Sequence, residues 1–438
     1  MDWLAVVGIL LFAVGLMLSI ALHEVGHLVP AKLFGVKVTQ YMVGFGRTIW
    51  SRRRGETEYG FKVIPLGGYI RMIGMFPPEP GGDPTTLRRT STGPFQALIS
   101  DARRAAKEEI GPDDTDKVFY RKLWWKKLII MLGGPTMNVV LALVLAGGVL
   151  MTFGNPEKPV LAPVVGQINE CVIPASEQPR ECAPDDPATP AAQAGFQVGD
   201  RLVAFNGELV TSWQQISTAI RGAGAGPAEI VVERDGAQVV LTPDIISAQR
   251  PSDSGAADEF QDVGFLGVSP TIEGYEKENI AGVFAWTGDF AGRTAQALAN
   301  IPSKMADVWS AAFGDGERGV DTPVSIVGAG RIGGEIVSAD GLSVGQRLAT
   351  FVMLLASFNM AIALFNLVPL LPLDGGHAAG AVWEGIKRAF AKVARRPEPR
   401  PVDVAKALPI AYGMAFVLVG MSVLLIYADI VNPIRLFG

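Results

Sequence analysis

Four stretches of this chain are long and apolar enough to cross a lipid bilayer, which leaves it few folds. A spanning helix needs roughly 20 mostly apolar residues, and backbone exposed to lipid must satisfy its own hydrogen bonds. The stretches are residues 3–22, 128–153, 348–373 and 407–431. The first carries Asp2 but no lysine or arginine ahead of it, and no small-residue cleavage site follows, so it reads as a retained span and not as a removed signal peptide. The whole chain is 49% hydrophobic and 18% charged, too apolar for an ordinary soluble protein and too charged for a bare membrane bundle. Spans plus at least one water-soluble domain are therefore expected. A net charge of −5 gives no sign of nucleic-acid binding, and two cysteines are too few for a disulfide-dense scaffold or a four-cysteine zinc site.

Lysine and arginine near the span ends set the orientation. Residues 47–127 carry 16 Lys and Arg against 10 Asp and Glu, residues 375–407 carry seven against three, and residues 155–345 carry 11 against 26. The consistent arrangement puts the N-terminus outside, 47–127 inside, 155–345 outside, 375–407 inside and the C-terminus outside. In chain order this predicts a first span with its polar motif over 1–35, a membrane-associated β-hairpin region over 36–76, a cytoplasmic insert over 77–127 and a second span over 128–153. An extracytoplasmic domain follows over 160–270, then a linker with an amphipathic helix over 271–345, a third span over 348–374, a cytoplasmic loop over 375–406 and a fourth span over 407–431.

In the extracytoplasmic segment, "VGDRLVAFNGELV" turns at Asn206–Gly207 and "AEIVVERDGAQVVLTP" at Asp235–Gly236, both hairpin signals. Between them "SWQQISTAI" has helical spacing. The succession from Ala191 to Ile220 resembles a PDZ domain of the type found on bacterial proteases, which either accepts an extended peptide on a sheet edge or simply blocks access. Cys171 and Cys182 face an oxidising compartment in this topology and are expected to pair. On the inner side, "YGFKVIPLGGYIRMIGM" is too short to span as a helix and too apolar for an ordinary loop; a hairpin dipping into a protein-lined cavity fits it. Residues 77–118 are rich in Pro, Gly and charge, with a short helix expected at 95–110. Residues 283–313, with Phe284, Phe290, Ile301, Met305 and Trp309, suit either a helix on the membrane or an ordinary linker helix.

The chemistry begins where the first span ends, at "HEVGH": His23, Glu24 and His27. On a helix, positions i and i+4 share a face, so two imidazoles reach one ion, and Glu24 sits where a proton acceptor is needed. Ionisable groups in a span are costly and functional by default. The chain has three histidines and two of them are here. Nitrogen donors and an open tetrahedral position suit zinc. A third ligand is required, and "NLVPLLPLDGGH" offers Asp374, with His377 as a supporting or packing residue. Spans one and three run in the same direction, so HEVGH and LDG reach the same face. Alone, Asp374 reads better as a turn or capping residue before Gly375–Gly376; the face it shares with HEVGH turns the reading to a ligand.

Taken together, HEVGH, "GFKVIPLGGYIRMIGM", "FYRKLWWKKLIIMLGGPTMN", the PDZ-like unit and "NLVPLLPLDGGH", in that order and over nearly the whole chain, resemble the site-2 protease family in its bacterial RseP-like branch. The fold implied is a polytopic α-helical membrane protein of about four transmembrane helices, with a membrane-associated β-hairpin and an inserted extracytoplasmic α+β PDZ domain. The activity implied is zinc-dependent intramembrane proteolysis in a bacterial cell membrane, with the active site toward the cytoplasm. Substrates would be single-span membrane proteins, such as a pre-trimmed anti-sigma factor, or signal-peptide remnants. Carried over, His23, His27 and Asp374 are the Zn2+ ligands, Glu24 the catalytic acid/base and Asn366 a substrate-backbone contact. This chain has one PDZ-like unit where some relatives have two. A non-catalytic PDZ scaffold and a membrane metal transporter are the competing readings; neither needs a base between the two histidines.

Overall fold

A computed structural model describes residues 2–77, 110–173, 182–251, 260–314, 318–319, 322–339 and 342–434. The short helix expected at 95–110 and most of the 77–118 insert lie outside the described residues. The chain forms two compact units, Met1–Val149 with Asn279–Gly438, and Leu150–Glu278.

In the first unit, four helices are long and apolar enough to cross a membrane among the described residues. They are α1 (Trp3–Leu33), α2 (Trp124–Thr152), α8 (Val344–Asn366) and α10 (Leu408–Val431). Asp2 caps α1 by accepting from the Leu4 N–H. Ser343 and Gln346 form a reciprocal capping box at the start of α8. The apolar run expected to be one span over 348–374 is broken. The helix ends at Asn366, and residues 367–373 make a turn with a cis Leu371–Pro372 bond. A new helix, α9 (Asp374–Val393), occupies much of the expected 375–406 loop. Pro369 and Pro372 account for the break, since neither has an N–H to continue the ladder and each bars helical geometry to the residue before it. Asp374 thus opens a helix; it does not close one.

Among its described residues, the segment expected to be a linker with one amphipathic helix holds three helices, α5 (Ile280–Ala299), α6 (Ile301–Phe313) and α7 (Ile326–Ser338). The last packs on α1 through small residues: a Cβ on Gly8 would lie 2.8 Å from Gly334 Cα. Asp429 of α10 accepts from the Ser325 and Gly328 N–H groups at the start of α7 and pairs with Arg318, both side chains being fully buried.

Strands β1 (Val38–Arg54) and β2 (Thr57–Met72) fold into a sheet more compact than a plain hairpin. Around the tip, Trp50–Arg54 pairs antiparallel with Thr57–Phe61. Gln40–Val43 then lies between two segments of β2: it runs alongside Glu58–Phe61 in the same direction and opposes Gly68–Arg71. Gly68–Met72 is left as an edge. Its deep end meets α1, where a Cβ on Gly68 would lie 3.1 Å from Glu24 and 3.2 Å from Ile20.

The second unit has a sheet in the order β11–β3–β4–β7–β8, with β5 beside β4. The strands are β3 (Pro159–Ile168), β4 (Arg201–Phe205), β5 (Glu208–Leu209), β7 (Ile230–Arg234), β8 (Ala237–Leu241) and β11 (Val268–Tyr275). A smaller sheet joins β6 (Gly226–Pro227), β9 (Asp244–Pro251) and β10 (Phe260–Phe265). The short α3 (Pro190–Ala194) precedes β4, and α4 (Trp213–Ala223) follows β5. Both expected turns are present, with left-handed backbone at Asn206–Gly207 and Asp235–Gly236. Ile216 and Ile220 of α4 are buried with Val165, Leu202, Phe205 and Ile230, which gives this unit its own core. Buried Asp200 accepts from Arg234 at 2.7 and 2.8 Å and from the Gln197 N–H at 2.8 Å. Burial alone would raise its carboxyl; these bonds outweigh it and hold the carboxyl below its usual range. Cys171 and Cys182 are joined by a disulfide.

Candidate active site

His23 and His27 lie one turn apart on α1, both buried, their rings edge to face with centroids 4.9 Å apart. Asp374, at the first position of α9, completes a triangle with them. His23 Nε2 and His27 Nε2 are 3.2 Å apart, and Asp374 Oδ2 is 3.3 Å from the first and 3.2 Å from the second. Among the described residues this is the one cluster of three His, Cys, Asp or Glu side chains with ligand atoms close enough for a shared metal ion. Residues 347 positions apart meet here.

Three local features set the triangle. His27 Nδ1 is 2.7 Å from the Ile130 carbonyl; an N–H there fixes the tautomer and leaves Nε2 as a lone-pair donor toward Asp374 and His23. The α1–α2 crossing is very close, because Gly26 and Gly133 meet backbone to backbone. Gly134 leaves the space the imidazoles occupy: a Cβ there would overlap His27 Nε2 and lie 2.6 Å from His23 Nε2. On the Asp374 side, Gly375 and Gly376 allow the chain to fold back on itself, since a Cβ on either would lie within about 2.6 Å of backbone in residues 367–371. Sequence reading assigned no role to Gly133 or Gly134; the signal was present as a Gly–Gly–Pro interruption of an apolar run, which in membrane helices marks close backbone approach.

Farther along α9, Glu384 is buried and accepts from Lys127 of α2 at 2.8 Å and from the Val402 N–H at 3.2 Å, while Arg388 flanks it at 3.2 Å. Gly385 lies against the Trp124 ring. These contacts tie the helix that carries Asp374 to the one that carries Gly134. His377 lines a small cavity beside this pair, with Met75, Phe119 and Gly380, outside the three-atom cluster. Burial pushes its imidazole below the ordinary value, which keeps it neutral.

Glu24 follows His23 on the same helix and accepts from the Ile70 N–H of β2, which presents its carboxylate next to the sheet edge Gly68–Met72. Asn366 is the last residue of α8, partly exposed, and lies outside the three-atom cluster.

Residues 11–396 match the family model described as peptidase family M50. The chain is 37% identical over 439 residues to a protein of Mycobacterium tuberculosis (strain H37Rv) named zinc metalloprotease Rip1, covering 99% of both chains. It is 36% identical over 444 residues to the protein of that name from Mycolicibacterium smegmatis, covering 98% of this chain and 99% of that one. It is 26% identical over 408 residues to metalloprotease MmpA of Caulobacter vibrioides, covering 89% and 87%.

Proposed function

The chain belongs to peptidase family M50, and we propose that it is a zinc-dependent intramembrane endopeptidase in which His23, His27 and Asp374 hold the metal and Glu24 moves the proton. The observation that carries the reading is the triangle of donors. Ligand atoms about 2.0–2.1 Å from a tetrahedral zinc lie roughly 3.3 Å from one another. The three edges here are 3.2, 3.2 and 3.3 Å, one face of such a tetrahedron with the fourth position left over. Two nitrogens and one carboxylate oxygen are also the donor set of catalytic rather than structural zinc sites.

Bound there, zinc lowers the pKa of a water to about 7 and polarises the scissile carbonyl. Glu24 accepts the proton that the attacking water gives up as its oxygen bonds to the carbonyl carbon, then passes it to the amide nitrogen as the C–N bond breaks. The Ile70 N–H holds the Glu24 carboxyl group in place for both transfers.

The substrate is a membrane protein with a single span, of the anti-sigma-factor or signal-peptide-remnant kind, cut as an extended strand. In a helix each carbonyl is hydrogen-bonded and shielded by side chains. Opening one in a membrane costs several kcal/mol per unpaired group unless partners are supplied. The edge Gly68–Met72 beside Glu24 offers such partners, and the Asn366 amide can both donate and accept. The unit Leu150–Glu278, inserted between the second span and α5, serves as an extracytoplasmic PDZ-like gate in a bacterial cell membrane, with the metal site toward the cytoplasm. In liposomes holding the purified chain, a substrate with Gly, Pro or Asn near the cut is expected to be cleaved faster than its Leu-only version, because the helix to be lost is weaker. Asn366→Ala should slow both with zinc retained. Equal rates for the two substrates would refute the unwinding step.

A further inference from the structure

Where α1 ends, the tip of the β1–β2 sheet comes back against it. A cavity of about 480 Å3 opens there, lined by Lys32, Arg54, Gly55 and Tyr59. Lys32 Nζ donates to the Tyr59 hydroxyl at 2.6 Å and lies 5.1 Å from its ring centroid. These are neutral partners. The nearby acids are engaged elsewhere: Glu56 accepts from Lys117 at 2.6 Å, and Glu58 accepts from Ser51 at 2.6 Å and Gln40 at 3.2 Å. Among the described residues neither Lys32 nor Arg54 pairs with a carboxylate, and both line this cavity.

The depth of the cavity is marked by its surroundings. Lys32 is in the last turn of the first span, and the second span starts nearby with Trp124, Trp125 and Lys126. Phe34 meets Trp125 edge to face at 5.5 Å, and Lys126 lies over both rings at 5.4 Å. Aromatic and basic residues together at span ends sit at the level of lipid headgroups. From that level the sheet runs along α1 toward the bilayer interior, reaching Ile20 and Glu24 at Gly68. On the outer strands of that sheet, across Gln40–Val43 from Gly68, Ile49, Trp50, Phe61 and Val63 are half or more exposed and apolar. A charged cavity at headgroup level, with a bare apolar surface leading down from it, matches a molecule with an anionic head and an acyl tail. We propose that this cavity binds an anionic phospholipid, its phosphate between Lys32 and Arg54 and its chains along Ile49, Trp50, Phe61 and Val63. The guanidinium suits phosphate because its fork meets two oxygens at once.

The test is native mass spectrometry of the full chain released from neutral detergent, titrated with short-chain phosphatidylglycerol, phosphatidylcholine or inorganic phosphate. Phosphatidylglycerol should bind with clear preference over phosphatidylcholine, and millimolar phosphate should not displace it. Lys32→Gln with Arg54→Gln should weaken that binding about thirtyfold, the loss of two interfacial cations. Arg52→Gln with Arg53→Gln, the same charge change outside the cavity, should leave it within a few-fold. Equal binding of the two lipids, displacement by free phosphate, or equal loss in both double variants would each overturn the proposal.

Discussion

Glu24→Gln is expected to reduce peptide cleavage by about 10³- to 10⁴-fold while the chain still binds zinc, the upper range for losing a general base. Glutamine has the shape of glutamate and keeps an oxygen for the Ile70 N–H, so the packing of α1 on the sheet edge at Gly68 should survive. What disappears is the ability to accept a proton beside His23. His23, His27 and Asp374 are unchanged, so their 3.2–3.3 Å triangle should hold the metal as before. Single-turnover cleavage of a single-span substrate in liposomes, with metal content measured on the same sample, separates the two effects. Cleavage at the wild-type rate would place the proton transfer on another group.

The second large effect is expected at a residue without chemistry. Gly134→Ala adds one methyl where His27 Nε2 now sits and 2.6 Å from His23 Nε2, closer than real contacts allow. Either the rings rotate or α2 moves off α1, and both outcomes separate the donor atoms. The helix itself should be favoured by alanine, by about 1 kcal/mol. Zinc affinity is therefore expected to fall by about 10- to 100-fold or more, the range seen when ligand orientation is disturbed. Activity should fall with it, with little change in helix content by circular dichroism. Gly148→Ala on the same helix is the control: its Cβ would meet nothing within 4 Å, and zinc binding should be unaffected. Competition with a colorimetric chelator reads both variants.

The contrast between Glu24 and Gly134 shows what kind of information the sequence carried openly. His23 and His27 were legible because an α-helix brings i and i+4 together whatever else the chain does. Asp374 was legible because parallel spans fix which ends share a face, even though hydropathy alone continues a helix through the turn that delivers it, residues 367–373. Hydropathy could not see that turn: Leu367 to Leu373 are as apolar as a span, and only Pro369 and Pro372 mark the break. Gly134 was hidden because its role depends on the crossing of α1 and α2, a tertiary fact. Helix α7 was hidden for a related reason. "IVGAGRIGGEIVS" carries four glycines that oppose a helix by about 1 kcal/mol each relative to alanine. It is helical because those glycines let it lie against α1 and because Asp429, about 100 residues later, accepts hydrogen bonds from its first turn. The doubled-back sheet of β1 and β2 was anticipated only as a hairpin, since local alternation cannot reveal that Gln40–Val43 pairs on both sides.

The central claim is that Asp374 joins His23 and His27 in holding the zinc that hydrolysis needs. The most direct test is elemental analysis of the purified full chain and its Asp374→Ala variant after dialysis against a weak chelator, with cleavage of a single-span substrate measured on the same preparations. The account predicts stoichiometric zinc and cleavage for the unaltered chain, and loss of both in Asp374→Ala, with the far-ultraviolet spectrum unchanged. An Asp374→Ala variant that keeps its zinc and still cleaves would contradict it.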